Sequence, residues 1–100
     1  MTIIKDPEGN ETRALHEMID FKGCSVLEIG SGDGRLTWRY AGKAAHTTGI
    51  DPSAEAIDKA RLNTPAELRG RVSFLEASLQ DFTASFKGPK FDLAVFAWSL

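Results

Sequence analysis

A glycine-rich stretch at residues 26–36 constrains the fold of this chain more than any other feature. It reads Val-Leu-Glu-Ile-Gly-Ser-Gly-Asp-Gly-Arg-Leu, so an aliphatic run is followed directly by the alternating glycines Gly30, Gly32 and Gly34. The run is typical of a buried parallel strand. Glycine adopts positive φ and lets a ligand approach the main chain without meeting a Cβ, and the first N–H groups of a following helix point into the same gap. The stretch therefore predicts a strand, a tight loop and a helix, with a nucleotide cofactor lying on the loop backbone.

The spacing of the glycines distinguishes this loop from the dinucleotide-binding fingerprint. Gly-x-Gly-x-x-Gly requires a glycine where this chain has Arg35, which disfavours a dehydrogenase. The acidic residue two positions before the first glycine gives instead Glu28-x-Gly30-x-Gly32-x-Gly34. This pattern resembles the first motif of the class I S-adenosylmethionine-dependent methyltransferases. An ordinary strand-to-helix turn that happens to be rich in glycine is the alternative interpretation.

The resemblance implies S-adenosylmethionine as the cofactor. Because this cofactor carries no pyrophosphate, the loop needs to fit only an adenosine and an amino-acid tail. The residues of the motif that we expect to bind it are Glu28, Gly30, Ser31, Gly32 and Gly34.

A second acidic residue, Asp51, ends the β-branched run 47–51 and precedes Pro52, which cannot continue a strand. It follows Gly32 by 19 positions, near the roughly 20-residue offset at which a carboxylate reaches a ribose in a βαβ nucleotide fold. A carboxylate accepts from both vicinal hydroxyls in charge-assisted bonds. Helix capping is the alternative, but Ser53 is a good N-cap by itself. We therefore predict that Asp51 binds the ribose, with Pro52 beside it.

Further helices and strands follow from apolar periodicity and from capping patterns. We expect helices at 12–20, after the glycine loop up to Gly42, and at 54–61, and strands at 71–77 and 91–100. The run 64–67, Thr-Pro-Ala-Glu, reads as a capping box that starts a short separate helix ending at Arg69.

The resemblance extends to the ends of the last two strands. In this family an acidic or amide side chain at the position of Ser78 often receives the adenine amino group, and serine departs from that pattern. Ser78 could still accept one hydrogen bond while the main-chain N–H of Leu79 meets a ring nitrogen. Ser78 could equally be only an N-cap answered by Asp81. Ala97 would border the methionine part of the cofactor, and Trp98 is either beside it or in the core.

The predicted fold class is α/β, with right-handed crossovers joining four parallel strands and helices on both faces of an open, Rossmann-like sheet. The resemblance implies the strand order 3-2-1-4. We expect a single domain over residues 1–100, with 1–10 as an N-terminal arm. The family's full catalytic domain is longer and has more strands, so the chain is expected to be its cofactor-binding half, and no catalytic residue is assigned.

Two functions of different classes are consistent with these features. The first is methyl transfer from S-adenosylmethionine to an acceptor that the sequence does not identify. The second is a nucleotide-binding or assembly module that lacks catalysis. The presence of chain beyond Leu100 in the natural reading frame would distinguish them.

Composition narrows the range of partners. Among 100 residues, 42% are hydrophobic and 26% are charged, as expected for a folded globular chain. The net charge is −2 and the basic residues are scattered, so the sequence does not favour a nucleic-acid partner.

Cys24 is the single cysteine, without the neighbours of a metal or redox site, and is expected to be a reduced structural thiol. The sequence shows neither an early secretory apolar region nor a membrane-spanning run, so we expect a cytoplasmic protein and no membrane partner.

The last strand also predicts an assembly. In the inferred order the segment 91–97 is an outer strand, yet its apolar run is typical of a strand buried on both faces. An unpaired apolar edge can pair with a second copy. We therefore expect a homodimer through the edge of 91–97.

Overall fold

The computed structural model of the chain describes residues 2–5, 20–86, 88 and 90–97. Within these residues the strands form one parallel sheet in the order β1-β5-β2-β3-β4. The strands are β1 (Thr2–Lys5), β2 (Ser25–Ile29), β3 (His46–Asp51), β4 (Val72–Glu76) and β5 (Leu93–Phe96).

Three α-helices in the described residues connect the strands. They are α1 (Thr37–Tyr40), α2 (Ala54–Asn63) and α3 (Leu79–Ser85), and a short 3-10 helix spans Ala66–Leu68. The helices predicted after the glycine loop and at 54–61 are thereby confirmed. Of the helix predicted at 12–20 only Asp20 lies within the described residues, and Trp98 lies outside them as well.

The core lies on both faces of the sheet. On one face Val26 and Val95 pack with Tyr40 and its neighbours, and Phe74 packs with the buried side of α2. On the other face a cluster that includes Leu27, Ile29 and Ile50 packs with Phe82 of α3. The predicted α/β class with helices on both faces is confirmed. No helix of the described residues is long and apolar enough to cross a membrane.

The predicted order 3-2-1-4 is confirmed for β4, β3, β2 and β5, but a fifth strand extends the sheet. β1 pairs in parallel with β5, with Thr2 opposite Leu93 and Lys5 opposite Phe96. The prediction that 91–97 is an outer strand was therefore wrong, and part of the predicted N-terminal arm 1–10 is a strand. β5 has neighbours on both sides, so the homodimer predicted through its edge has no unpaired edge to use.

The capping box predicted at 64–67 was also wrong. Thr64 is the C-cap of α2, and its hydroxyl donates back to the carbonyl oxygen of Ala60 at 2.8 Å. Pro65 caps the following 3-10 helix with no side-chain hydrogen bond. The hydroxyl is used by the preceding helix, because Thr64 Oγ1 can reach the carbonyl one turn back as readily as the N–H groups ahead.

Candidate functional site

The glycine loop begins where β2 ends and is attached to β3. The main-chain N–H groups of Gly30 and Ser31 both donate to the carbonyl oxygen of Ile50, at 2.9 and 3.0 Å. Gly30, Gly32 and Gly34 have φ values of +77°, +58° and +90°, in the left-handed region that favours glycine. The predicted strand, glycine turn and helix are thus present in this order.

The glycines of the loop face different surroundings. A Cβ on Gly34 would lie 2.3 Å from the ring of Trp38, so this position is glycine because the tryptophan packs against it. A Cβ on Gly32 would meet nothing within 4 Å. The backbone at Gly32 therefore faces open space, which a ligand could enter.

Asp51 lies directly beside this open position. Its Oδ2 accepts the N–H of Gly32 at 3.0 Å, and its Oδ1 accepts the N–H of Ser53 at 2.9 Å. The side chain of Ser53 accepts the N–H of Ala56 at 3.2 Å and so provides the N-cap of α2, as predicted. Since a carboxylate offers about four lone-pair sites, Asp51 keeps the capacity to accept from further donors.

The other predicted cofactor ligands lie at the same end of the sheet, because the carboxyl ends of parallel strands meet there. Ala77, just after β4, donates its N–H to the carbonyl oxygen of Asp51 at 3.0 Å, and this places Ser78 and Leu79 near the end of β3. Ala97 donates its N–H to the carbonyl oxygen of Ile29 at 2.9 Å. Pro52 follows Asp51 and is exposed.

Ser78 is the N-cap of α3, since its Oγ accepts the N–H of Asp81 at 3.1 Å. Ser78 therefore has the N-cap role that the sequence allowed as an alternative to adenine binding. Its hydroxyl proton is not used in that bond, and Leu79 beside it is 36% exposed. The adenine contact of these two residues stays a prediction.

Two of the predicted ligands are buried. The Glu28 side chain is fully buried, and its Oε1 accepts from Thr37 Oγ1 at 2.9 Å and from the Tyr40 hydroxyl at 2.5 Å. It has no surface for a cofactor to contact directly. Ser31 is 5% exposed, and its Cβ lies 2.9 Å from where a Cβ on Gly49 would stand. The Ser31 side chain is therefore packed against Gly49 of β3, and the Ser31 N–H is already bonded to Ile50.

Sequence reasoning missed the residues that support the loop from below. Trp38 packs against Gly34 and contacts Phe74 edge-on, with ring centroids 5.6 Å apart. Gly49 leaves room for both Ser31 and Phe74, since a Cβ there would lie 2.7 Å from the phenylalanine ring. A glycine inside a β-branched strand is the signal that could have indicated such a close approach.

Two side chains near the sheet, Tyr40 and Cys24, have a raised pKa. Burial first, and then the neighbouring Glu28 carboxylate, raise the pKa of Tyr40 well above its ordinary value. Desolvation, followed by Asp92 and Asp20, raises the pKa of the Cys24 thiol, whose Sγ lies 3.5 Å from the carbonyl oxygen of Asp20. A raised pKa disfavours the reactive thiolate, in keeping with a structural thiol. No group of three or more metal-ligating side chains occurs among the residues described.

A separate cavity of about 550 Å³ lies beside α2 and β4. It is lined by the cationic side chains Arg61 and Arg69 and by apolar residues that include Leu62 and Phe74. None of the predicted cofactor ligands lines it. Its residues can therefore serve as a control region when ligand binding at the glycine loop is measured.

The chain is similar to known proteins in both sequence and structure. The family described as "Methyltransferase domain" matches residues 26–100. A ubiquinone biosynthesis O-methyltransferase of Aromatoleum aromaticum is 41% identical over 71 residues, which are 71% of this chain and 30% of that protein. A magnesium-protoporphyrin O-methyltransferase of Rhodobacter capsulatus is 39% identical over 62 residues, 62% of this chain and 28% of that protein. The chain thus spans less than a third of the length of either relative.

Among solved structures, one similar chain is a SAM-dependent methyltransferase from Thiobacillus denitrificans in complex with S-adenosyl-L-homocysteine. The TM-score is 0.67 at 25% sequence identity, and the match covers 85% of this chain and 34% of that one.

Proposed function

Because this chain belongs to the class I S-adenosylmethionine-dependent methyltransferase family, we propose that it holds the methyl donor S-adenosylmethionine on the loop Gly30–Gly34. The donor supplies a methyl group on a positively charged sulfur. The chain positions that donor for transfer to an acceptor. The segment shared with the relatives includes the proposed donor site but covers less than a third of each relative. We therefore do not assign the methyl acceptors of those relatives to this chain. The cytoplasmic location stays a prediction of the sequence.

The observation that carries the proposal is the hydrogen bond of 3.0 Å from Gly32 N–H to Asp51 Oδ2. It fixes a carboxylate at the loop position whose backbone faces open space. A ribose that lies over Gly32 would present its two hydroxyls to this carboxylate. Hydrogen bonds to a charged acceptor contribute about 1.5–3 kcal/mol each, which is enough to orient the sugar.

The remaining ligands fit the parts of the same cofactor. The main chain at Gly30 and Gly32 allows close approach of the amino-acid tail and the sugar, because neither residue has a Cβ. On one side of Asp51, the hydroxyl of Ser78 and the N–H of Leu79 are available to an adenine ring. On the other side, Ala97 stands beside the start of the loop, where the methionine part would lie.

Isothermal titration with S-adenosylhomocysteine tests the proposal. The wild-type chain is expected to bind. Asp51→Ala should weaken binding by about 10- to 150-fold, the equivalent of about 1.5–3 kcal/mol. Asp58→Ala is the matched control, since Asp58 is an exposed aspartate on α2 outside the site. Far-ultraviolet circular dichroism verifies that each variant is folded.

Two outcomes would count against the proposal. If the folded wild-type chain shows no heat of binding, the donor site is not functional in this chain. If Asp51→Ala binds as tightly as Asp58→Ala, the carboxylate does not meet the ribose.

A further inference from the structure

A buried carboxyl group lies directly beneath the glycine loop. The Glu28 side chain is 0% exposed and belongs to β2, just before the loop begins. Its donors Thr37 and Tyr40 belong to α1, just after the loop ends, and are 0% and 1% exposed. One oxygen atom, Oε1, accepts from both hydroxyls. The two ends of the loop are therefore joined through a single acceptor.

A buried carboxyl group is unfavourable unless its hydrogen bonds are satisfied. A core of apolar side chains would fill the same space without that requirement. The polar contact instead sets the distance and the direction between β2 and α1, because hydrogen bonds are directional and apolar contacts are not. The ring of Tyr40 is held in turn by stacking on Phe21, with centroids 4.6 Å apart.

Main-chain hydrogen bonds also hold the two ends of the loop, since Gly30 and Ser31 donate to the carbonyl oxygen of Ile50 and Trp38 N–H donates to the carbonyl oxygen of Gly34. Gly34 N–H donates to the carbonyl oxygen of Ser31 at 3.1 Å, and Gly32 N–H donates to Asp51. Both bonds depend on how far apart the loop ends are held. A change in that distance would move the N–H of Gly32 away from the carboxylate of Asp51.

We propose that Glu28, with Thr37 and Tyr40, forms a clamp that positions the glycine loop for its ligand without touching that ligand. Glu28 is then a positioning residue, in place of the direct ligand that the sequence predicts. The consequence for cofactor binding rests on the proposed function. The effect of the clamp on the loop does not.

Amide hydrogen exchange of the chain without ligand tests the effect on the loop. Thr37→Val removes one donor while keeping the shape of the side chain, and Thr37→Ser restores the hydroxyl. Thr47→Val is the matched control, because Thr47 is 0% exposed and its Oγ1 has no hydrogen-bond partner among the described residues. We expect exchange at Gly32 and Gly34 to be at least tenfold faster in Thr37→Val and close to wild type in Thr37→Ser and Thr47→Val.

Titration with S-adenosylhomocysteine tests the consequence. Thr37→Val is expected to bind at least tenfold more weakly than wild type, and Thr37→Ser should recover most of the affinity. Tyr40→Phe, which keeps the stacked ring, removes the other donor and serves if Thr37→Val does not fold. It should give the same change in both measurements.

The outcomes separate the two proposals. Unchanged exchange at Gly32 and Gly34 in the folded Thr37→Val and Tyr40→Phe variants would overturn the clamp, whatever the ligand does. Faster exchange in Thr47→Val to the same extent would also overturn it, since any buried threonine would then have the effect. Faster loop exchange only in the clamp variants, with no binding even to wild type, would support the clamp and contradict the proposed function.

Discussion

At the residue scale, the two acidic residues of the site have different roles that their positions in the chain determine. Glu28 lies within a strand, on the face that it shares with Val26, and therefore points into the core beneath α1. Asp51 is the last residue of its strand, where the sheet ends and the loop begins. The sequence predicted both as ligands, because motif spacing does not show which face of a strand a side chain occupies. The strict alternation of strand side chains, applied to Glu28, could have indicated burial.

Tyr40 gives a prediction about pH. It is the single tyrosine of the chain, so the ultraviolet absorbance of the phenolate reports it directly. Burial and Glu28 raise its pKa in the folded state, whereas the unfolded value is about 10. Above that pH the unfolded chain loses the tyrosine proton, whereas the folded chain keeps it. The contribution of Tyr40 to the free energy of unfolding is therefore fully present below about pH 10 and decreases as the pH rises.

The measurement is a spectrophotometric titration together with urea unfolding at several alkaline pH values. We expect phenolate to appear only as the chain unfolds, and we expect Tyr40→Phe to lose less stability with rising pH than wild type. Titration of Tyr40 near pH 10 in the folded chain would show that the hydroxyl is not buried against Glu28.

Gly34 and Gly70 give a matched pair for the effect of steric contact in the loop. Their φ values are +90° and +91°, so alanine introduces the same backbone strain at both. A Cβ at Gly34 would meet Trp38, whereas a Cβ at Gly70 would meet nothing within 4 Å. We expect Gly34→Ala to lower the free energy of unfolding by about 1–3 kcal/mol more than Gly70→Ala, the usual effect of overpacking. Equal losses in urea denaturation would mean that Trp38 does not constrain the loop.

At the element scale, helices and strands were predictable where the signal is local. The strand and turn at the glycine motif, the helix capped by Ser53 and the strand 71–77 all follow from neighbouring residues. The partner of β5 was not predictable in this way, because the short β-branched run Thr2–Lys5 pairs with a strand at the other end of the chain. The start of the 3-10 helix was mispredicted for a local reason, since Thr64 could cap either helix.

Ser53 and Asp51 give a prediction that separates capping from ligand binding. Ser53→Ala removes the side-chain acceptor for Ala56 N–H and should lower stability by about 1 kcal/mol. The main-chain N–H that Asp51 accepts remains, so the affinity for S-adenosylhomocysteine should stay within about twofold of wild type, a small change on the scale of binding free energies. Urea unfolding and titration measure the two effects. A loss of affinity as large as that of Asp51→Ala would mean that the cap and the ligand site are one unit.

At the scale of the whole molecule, the fold class and the order of four strands were correctly predicted. The binding of the cofactor at the carboxyl ends of the parallel strands stays a prediction. The fold class follows from the alternation of apolar strands with helices, and the carboxyl ends of parallel strands meet at one end of the sheet. The strand order was implied by the resemblance to the methyltransferase family. The support beneath the loop was not predicted. Local signals could indicate that Glu28 is buried and that Gly49 is closely approached, but which other elements Glu28, Trp38 and Gly49 contact cannot be read from neighbouring residues. The proposed donor site depends on the open position at Gly32 and on the Asp51 carboxylate beside it.

Amide chemical-shift mapping of the whole chain with S-adenosylhomocysteine tests the assignment of the donor site to the glycine loop. We predict saturable shifts at the amides of Gly30, Gly32, Asp51, Leu79 and Ala97, with no shifts at Arg69 and Gly70, which line the separate cavity beside α2. Shifts that gather around that cavity and leave Gly32 and Asp51 unchanged would contradict the assignment of the donor site to the glycine loop.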